Sequence, residues 1–288
     1  MLSKVIFSEK PILSFDINNN ENEIIAISEK NVYRYELLSG NLVMKKELFT
    51  KNGLSRKVLC DDKLIYCKDF CTFYVLDYNS LNVIFKSELG TNLSSDICGL
   101  DFDDTNIYAS IRGGGLAIIN KENYDIKKLT ISSNSLWNVK SDTEYIYGGA
   151  VNGTFFVINK KTLEIVACLD GHKENCDDFI ICEDFIITSS KDKLIKRNKK
   201  TFDIIQQVKK PHKYQFSIID FWNDYFITAA FRDGIIRIWD TKSMEILRDV
   251  NIINCLTGYA KIENNLLYLS SRAINGIDRV NLTKLLDL

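Results

Sequence analysis

The chain has 288 residues, 45% hydrophobic and 26% charged, with a formal net charge of −1 and a pI near 6.2. That composition suits a globular protein with a large core, and it excludes a polyanion binder working through net charge alone. No run approaches the roughly 18 apolar residues of a membrane-spanning helix. The opening MLSKVIFSEK lacks the apolar core and cleavage site of a signal peptide, so a cytoplasmic protein without membrane contact and with reduced thiols is expected.

In chain order, the first predicted strand is SKVIFSE, residues 3–9, which has no hairpin of its own. Seven units follow, at residues 12–48, 56–89, 96–130, 135–170, 174–208, 215–250 and 253–288. Each ends in an alternating strand, a polar turn and a second strand, as in NVYRYELLSGNLVM, CTFYVLDYNSLNVIF, GLAIINKENYDIKKL, GTFFVINKKTLEIVA, KLIKRNKKTFDIIQQ, GIIRIWDTKSMEIL and, with only a remnant of the second strand, INGIDRVNLTKLLDL. The residues heading these turns are Glu36, Asp77, Asn120, Asn159, Asn198, Asp240 and Asn281, spaced by 41, 43, 39, 39, 42 and 41. A second hairpin precedes each, for example DICGLDFDDTNIYASI, so every unit has four strands, a to d. Four-stranded units repeating at roughly 40–45 residues mark the blades of a β-propeller. The expectation is one all-β domain over 1–288, a seven-bladed β-propeller with four-stranded blades. The last unit ends just past its c strand, so the N-terminal strand 3–9 is expected to complete blade 7 and close the ring, removing an open edge. Pro11 and Pro211 fall between units, where a missing backbone donor does little harm.

At Trp239-Asp240, Gly171-His172 and Pro211-His212 the chain resembles the WD-repeat propellers, and the resemblance runs its full length. In that family a His, a strand-b Ser or Thr, a turn Asp and a strand-c Trp form a buried hydrogen-bond network. Blade 6 supplies His212, Asp233 and Trp239, with Ala229 and Phe231 near the expected hydroxyl position. Blade 5 supplies His172, Thr188 or Ser190, and Asp192, but no Trp. Quinoprotein-like and other propellers without this motif, a propeller enzyme among them, stay open as alternatives. The resemblance implies a non-catalytic scaffold or complex subunit that holds a protein partner, in some cases beside an RNA-modifying enzyme.

Catalytic chemistry finds little footing. Cys67 and Cys71, or His172, Cys176 and Cys182, lack the paired spacing of a structural zinc site. RGGGLAI (112–118) lacks the Lys-Ser/Thr and helix start of a phosphate loop. Asp16, Asp101 and Asp220 fall in innermost strands and are the residues that would hold a cation there. No catalytic residue, cofactor or metal is expected.

The turns carry more information. On the side of the b–c turns the sequence places Lys30, Lys68, Arg112, Lys191, Arg232 and Arg272, with Asn152 in blade 4, and the d–a connections add Lys51, Arg56, Lys57, Lys209, Lys210 and Lys213. The a–b turns carry Glu21, Glu23, Asp61, Asp62, Asp103, Asp104, Asp142, Glu144, Glu183, Asp184, Asp224 and Glu263, with Lys160, Lys161, Lys199 and Lys200 among them on c–d turns. A basic face would attract an acidic or phosphorylated protein segment or, as the second choice, a nucleic-acid backbone. Trp137, Tyr214 and Phe216, at or just before innermost strands, are the candidate aromatic anchors.

Overall fold

The computed structural model describes residues 3–49, 56–90, 96–214, 216–230, 234–251, 259–271 and 274–286. They form seven four-stranded antiparallel sheets, and the fold is a seven-bladed β-propeller. Strand β1 is Ser3–Phe7. Blade 1 holds β2 (Ser14–Asn18), β3 (Glu23–Ile27), β4 (Asn31–Glu36) and β5 (Leu42–Glu47). Blade 2 holds β6 (Arg56–Cys60), β7 (Leu64–Asp69), β8 (Thr72–Asp77) and β9 (Val83–Glu88). Blade 3 holds β10 (Ile97–Phe102), β11 (Asn106–Ile111), β12 (Gly115–Asn120) and β13 (Ile126–Thr130). Blade 4 holds β14 (Leu136–Ser141), β15 (Tyr145–Ala150), β16 (Phe155–Asn159) and β17 (Ile165–Leu169). Blade 5 holds β18 (Asp178–Ile181), β19 (Phe185–Ser189), β20 (Lys193–Asn198) and β21 (Ile204–Lys209). Blade 6 holds β22 (Phe216–Trp222), β23 (Tyr225–Ala230), β24 (Ile235–Asp240) and β25 (Ile246–Asn251). Blade 7 holds β26 (Ala260–Glu263), β27 (Leu266–Ser271) and β28 (Ile274–Asn281), with β1 as its fourth strand. By contact the chain forms two compact units, one of Met1–Asp69, Phe73–Ser87 and Asp220–Leu288, the other of Phe70–Thr72 and Glu88–Ile219.

The residue heading each c–d turn owes its recurrence to turn chemistry. An Asp or Asn there folds its side chain back onto the backbone N–H groups of the turn. Asn120 Oδ1 accepts from Glu122 and Asn123, Asn159 Oδ1 from Lys161 and Thr162, and Asn198 Oδ1 from Lys200 and Thr201. Asp77 and Asp240 do the same toward Ser80 and toward Lys242 and Ser243. The fourth residue onward then donates to the head carbonyl in the left-handed region, at Leu81, Tyr124, Leu163, Phe202 and Met244. Burial of Leu81 and Met244 offsets that backbone cost. At blade 7 the expectation of a stub strand fails. Asn281 accepts from the Lys284 N–H at 3.1 Å, and Leu282–Leu286 become the short helix α1, with Leu282 and Leu285 buried. Asn at a helix start is the usual cap, so the same turn residue opens a helical turn here.

The closure by β1 is observed. Ser3 pairs with Arg279, Lys4 with Asp278, Ile6 with Ile277 and Phe7 with Gly276. Val5 and Ile6 are buried among Phe15, Tyr35, Tyr268 and Ile277, which stabilises the unit by on the order of 3–5 kcal/mol. Two glycines admit the strand. A Cβ on Gly276 (φ +144) would lie 1.8 Å from the Ile6 carbonyl oxygen, and one on Gly40 (φ +72) 1.9 Å from that of Val5. Ile6→Ala is therefore expected to cost about 2–4 kcal/mol in urea unfolding. Phe7→Ala, at a side chain 75% exposed, should stay within about 0.5 kcal/mol; equal effects of the two would contradict the register.

Candidate interaction surface

The inner-strand acids are consumed by neighbouring blades. Asp16 Oδ2 in β2 accepts from the Cys60 N–H of β6 at 2.9 Å, while Lys261 from β26 pairs with Oδ1. Asp101 Oδ2 in β10 accepts from the Ser141 N–H at 2.6 Å and from the Ser141 hydroxyl at 2.9 Å, both on β14. Asp220 Oδ2 in β22 accepts from the Ile262 N–H of β26 at 3.3 Å. In blade 4 an amide takes the place, and Asn138 Nδ2 donates to Asp178 of β18 at 2.9 Å. These acids join blade to blade instead of standing ready for a cation.

The a–b turns follow a related plan. Asp103 Oδ2 accepts from Tyr108 at 2.7 Å and from Lys160 of the next blade at 2.6 Å; Asp142 Oδ2 accepts from Tyr147 at 2.7 Å and pairs with Lys199 at 2.8 Å. Burial alone would raise the Asp103 carboxyl, but Lys160 and Tyr108 hold it well below the usual carboxylate range. Of the lysines among these acids, Lys160 and Lys199 are thus partners of Asp103 and Asp142. Glu23, expected on an exposed turn, is instead the buried first residue of β3. It is held by the Arg34 fork at 2.8 and 2.9 Å and by the Tyr78 hydroxyl at 2.9 Å.

Two pieces of the polar network expected from sequence are present. In blade 5, His172 Nε2 lies 2.8 Å from Thr188 Oγ1, and Nδ1 lies 3.5 Å from Asp192 Oδ1. Nε2 and the threonine hydroxyl share one hydrogen bond, and the Asp192 carboxylate faces the Nδ1 side of the ring. Thr188, and not Ser190, is the hydroxyl partner. Burial pushes the imidazole down to about 4 despite the pull of Asp192. In blade 6, Trp239 Nε1 donates to Thr228 Oγ1 at 2.8 Å. The hydroxyl looked for near Ala229 and Phe231 sits one residue before Ala229, at the position Thr188 holds in the matching strand. Asp233 lies outside the described residues.

The expected basic rim is corrected in part. Lys68 is not on a turn; it belongs to β7 and is buried at 3% exposure. Lys30 is partly exposed and pairs loosely with Glu47 at 4.0 Å. Arg112 and Lys191 are exposed on their b–c turns. Tyr214 is half-buried, with the Lys213 ammonium 5.3 Å from its ring centroid. Phe216 begins β22, but its side chain, like Arg232 and Arg272, lies outside the described residues.

Trp137 is the most built-up of these positions. In β14, Leu136 pairs with Ala150 and Asn138 with Gly149, leaving Trp137 as the bulged residue between them. A bulge re-aims the side chain it carries, and this indole is 39% exposed. Just ahead of it, Ser135 ties two turns together. Its hydroxyl accepts from the Gly113 N–H at 3.1 Å and its carbonyl from the Val151 N–H at 3.0 Å. Arg112, Trp137 and the exposed Val151 are thereby held on adjoining segments of blades 3 and 4. Neither Ser135 nor Val151 stood out in the sequence; an apolar residue leading the turn Val-Asn-Gly is the signal that was available.

No family model matches the chain, and no curated protein does. In structure it is similar to the computationally designed Ika8 protein, with a TM-score of 0.72 at 12% identity over 96% of this chain and 99% of that one. It is also similar to BamB from Moraxella catarrhalis, with a TM-score of 0.72 at 16% identity over 94% of this chain and 85% of that one. Both likenesses are of fold.

The His172 network carries a pH signature. A folded-state value below the unfolded one means the unfolded chain gains a proton first as pH falls, so stability is greatest above about 6.5 and declines toward about 4. The expected loss between pH 7 and pH 5 is on the order of 2 kcal/mol. Urea unfolding of His172→Gln across that range should show a flatter slope than the wild type; parallel slopes would refute the assignment.

Proposed function

We propose that the chain is a non-catalytic interaction propeller of the WD-repeat kind, and that it holds a protein partner through the b–c turns and d–a connections. The observation that carries this reading is the bulged, exposed Trp137, next to a serine, Ser135, whose hydrogen bonds to Gly113 and Val151 tie its segment to the turns that carry Arg112 and Val151. Trp and Arg on a rigid support are the residue types on which interface energy concentrates. The His172–Thr188–Asp192 and Thr228–Trp239 contacts support the WD-repeat assignment. The exposed cations Arg112 and Lys191 favour a partner segment that is acidic or phosphorylated.

A competing reading as a nucleic-acid module uses the same cations and differs in salt dependence. Affinity for a nucleic-acid backbone would fall by orders of magnitude between about 50 and 200 mM salt, whereas an anchor of Trp and Val would not. The test is affinity capture from cells expressing the chain, comparing the wild type with Trp137→Ala and Arg112→Glu. A partner should be retained by the wild type at 200 mM salt and lost by about tenfold or more in each variant, with unfolding midpoints unchanged. Equal retention by all three proteins would remove this surface from the account.

A further inference from the structure

The outer strands of the blades differ in one respect that their shared role does not require. Each has a free edge that offers unpaired backbone donors and acceptors to any incoming strand, and proteins blunt such edges with charge. Strand β1 carries Lys4, β5 Lys45 and Lys46, β9 Lys86, β13 Lys127 and Lys128, β21 Lys209, and β25 Arg248. Only β17 of blade 4, Ile165-Val166-Ala167-Cys168-Leu169, has no charged residue. Its sheet order, β14-β15-β16-β17, leaves one side of it unpaired.

Its two faces are differently placed. Ala167 and Leu169 pack inward against Phe155, Phe179 and Ile186. Ile165 and Val166 are 41% and 47% exposed, and Cys168 is exposed too. At the ends of the strand stand two exposed acids, Glu164 and Asp170, the second accepting from the Thr154 hydroxyl at 3.2 Å and lying beside Arg197, which donates to its backbone carbonyl. The edge is therefore apolar along its length with a carboxylate at each end, Glu164 and, beside Arg197, Asp170.

From this we infer that β17 is a docking edge for an extended segment of a partner protein, which joins blade 4 as a fifth strand. The segment is apolar over about five residues and basic at both ends, because backbone pairing supplies the affinity and the flanking charges set the choice. A second copy of this chain is the wrong occupant. Antiparallel self-pairing centred on Ala167 would set Glu164 against Asp170, and like charges directly opposite destabilise a strand pair. The surface is separate from the Trp137 rim, so either can fail alone.

The test uses a fluorescent peptide, Lys-Val-Thr-Val-Thr-Val-Lys, and its counterpart with Glu at both ends, titrated against the full chain by anisotropy. The basic-ended peptide is expected to bind at least about tenfold more tightly than the acidic one and to slow amide exchange within 165–169. Val166→Lys and Cys168→Lys, both at exposed positions, should each weaken binding by about tenfold or more without moving the unfolding midpoint. Ile205→Lys, on the already charged β21, should leave binding unchanged. Equal binding by wild type and Val166→Lys would overturn the proposal, as would no saturable binding up to about 1 mM peptide. A wild-type dimer that Val166→Lys converts to monomer would assign the edge to a second copy instead.

Discussion

A side-chain carboxylate that reaches from the innermost strand of one blade to a backbone N–H of the next is the contact on which this molecule depends. Each blade is a small twisted sheet with two apolar faces and cannot bury both alone. Hydrophobic packing brings blades together without fixing their alignment, because it has little direction. The Asp16–Cys60, Asp101–Ser141 and Asp220–Ile262 bonds supply that direction. An ionised acceptor makes each worth about 1.5–3 kcal/mol, the buried Asp16–Cys60 bond toward the upper end and the part-buried other two toward the lower.

This arrangement decides which charges are available for function. Asp103 and Asp142 are occupied by Tyr108 and Lys160 and by Tyr147 and Lys199, and Glu23 by Arg34 and Tyr78. Three of the acids that make one side look acidic in the sequence thus already hold a cation. Arg112, Val151 and Lys191 keep exposed surface on loops that the strands hold in place, and Trp137 does so at a bulge of β14 beside them. Recognition in repeat proteins usually falls to such loops, since the strands are committed to packing.

The blade count, the four-strand plan and the closing strand were legible because they rest on periodicity and turn chemistry, which act over a few residues. Asx residues heading turns every forty-odd positions report the same local hydrogen bonds each time. Pairings between blades were not legible. Nothing local distinguishes Asp101, which serves Ser141 forty residues on, from an acid awaiting a cation, and nothing local shows that Lys160 answers Asp103. Lys68 illustrates the same limit: near the end of a strand, one step of the pleat separates a rim cation from a buried one. The helix at Leu282–Leu286 was missed because Asn281 is as good a helix cap as a turn head. Trp137 was legible as an aromatic on an inner strand, whereas the bulge that exposes it depends on register with β15.

The most direct test is amide hydrogen exchange at Ser141 in the wild type and in Asp101→Ala. If the carboxylate is the inter-blade fastening, the Ser141 N–H is strongly protected in the wild type. In the variant its protection falls along with that of neighbouring β14 amides, and global stability drops by about 2–3 kcal/mol. Unchanged protection at Ser141 together with unchanged stability would contradict the account, and would mean that packing alone sets blade against blade.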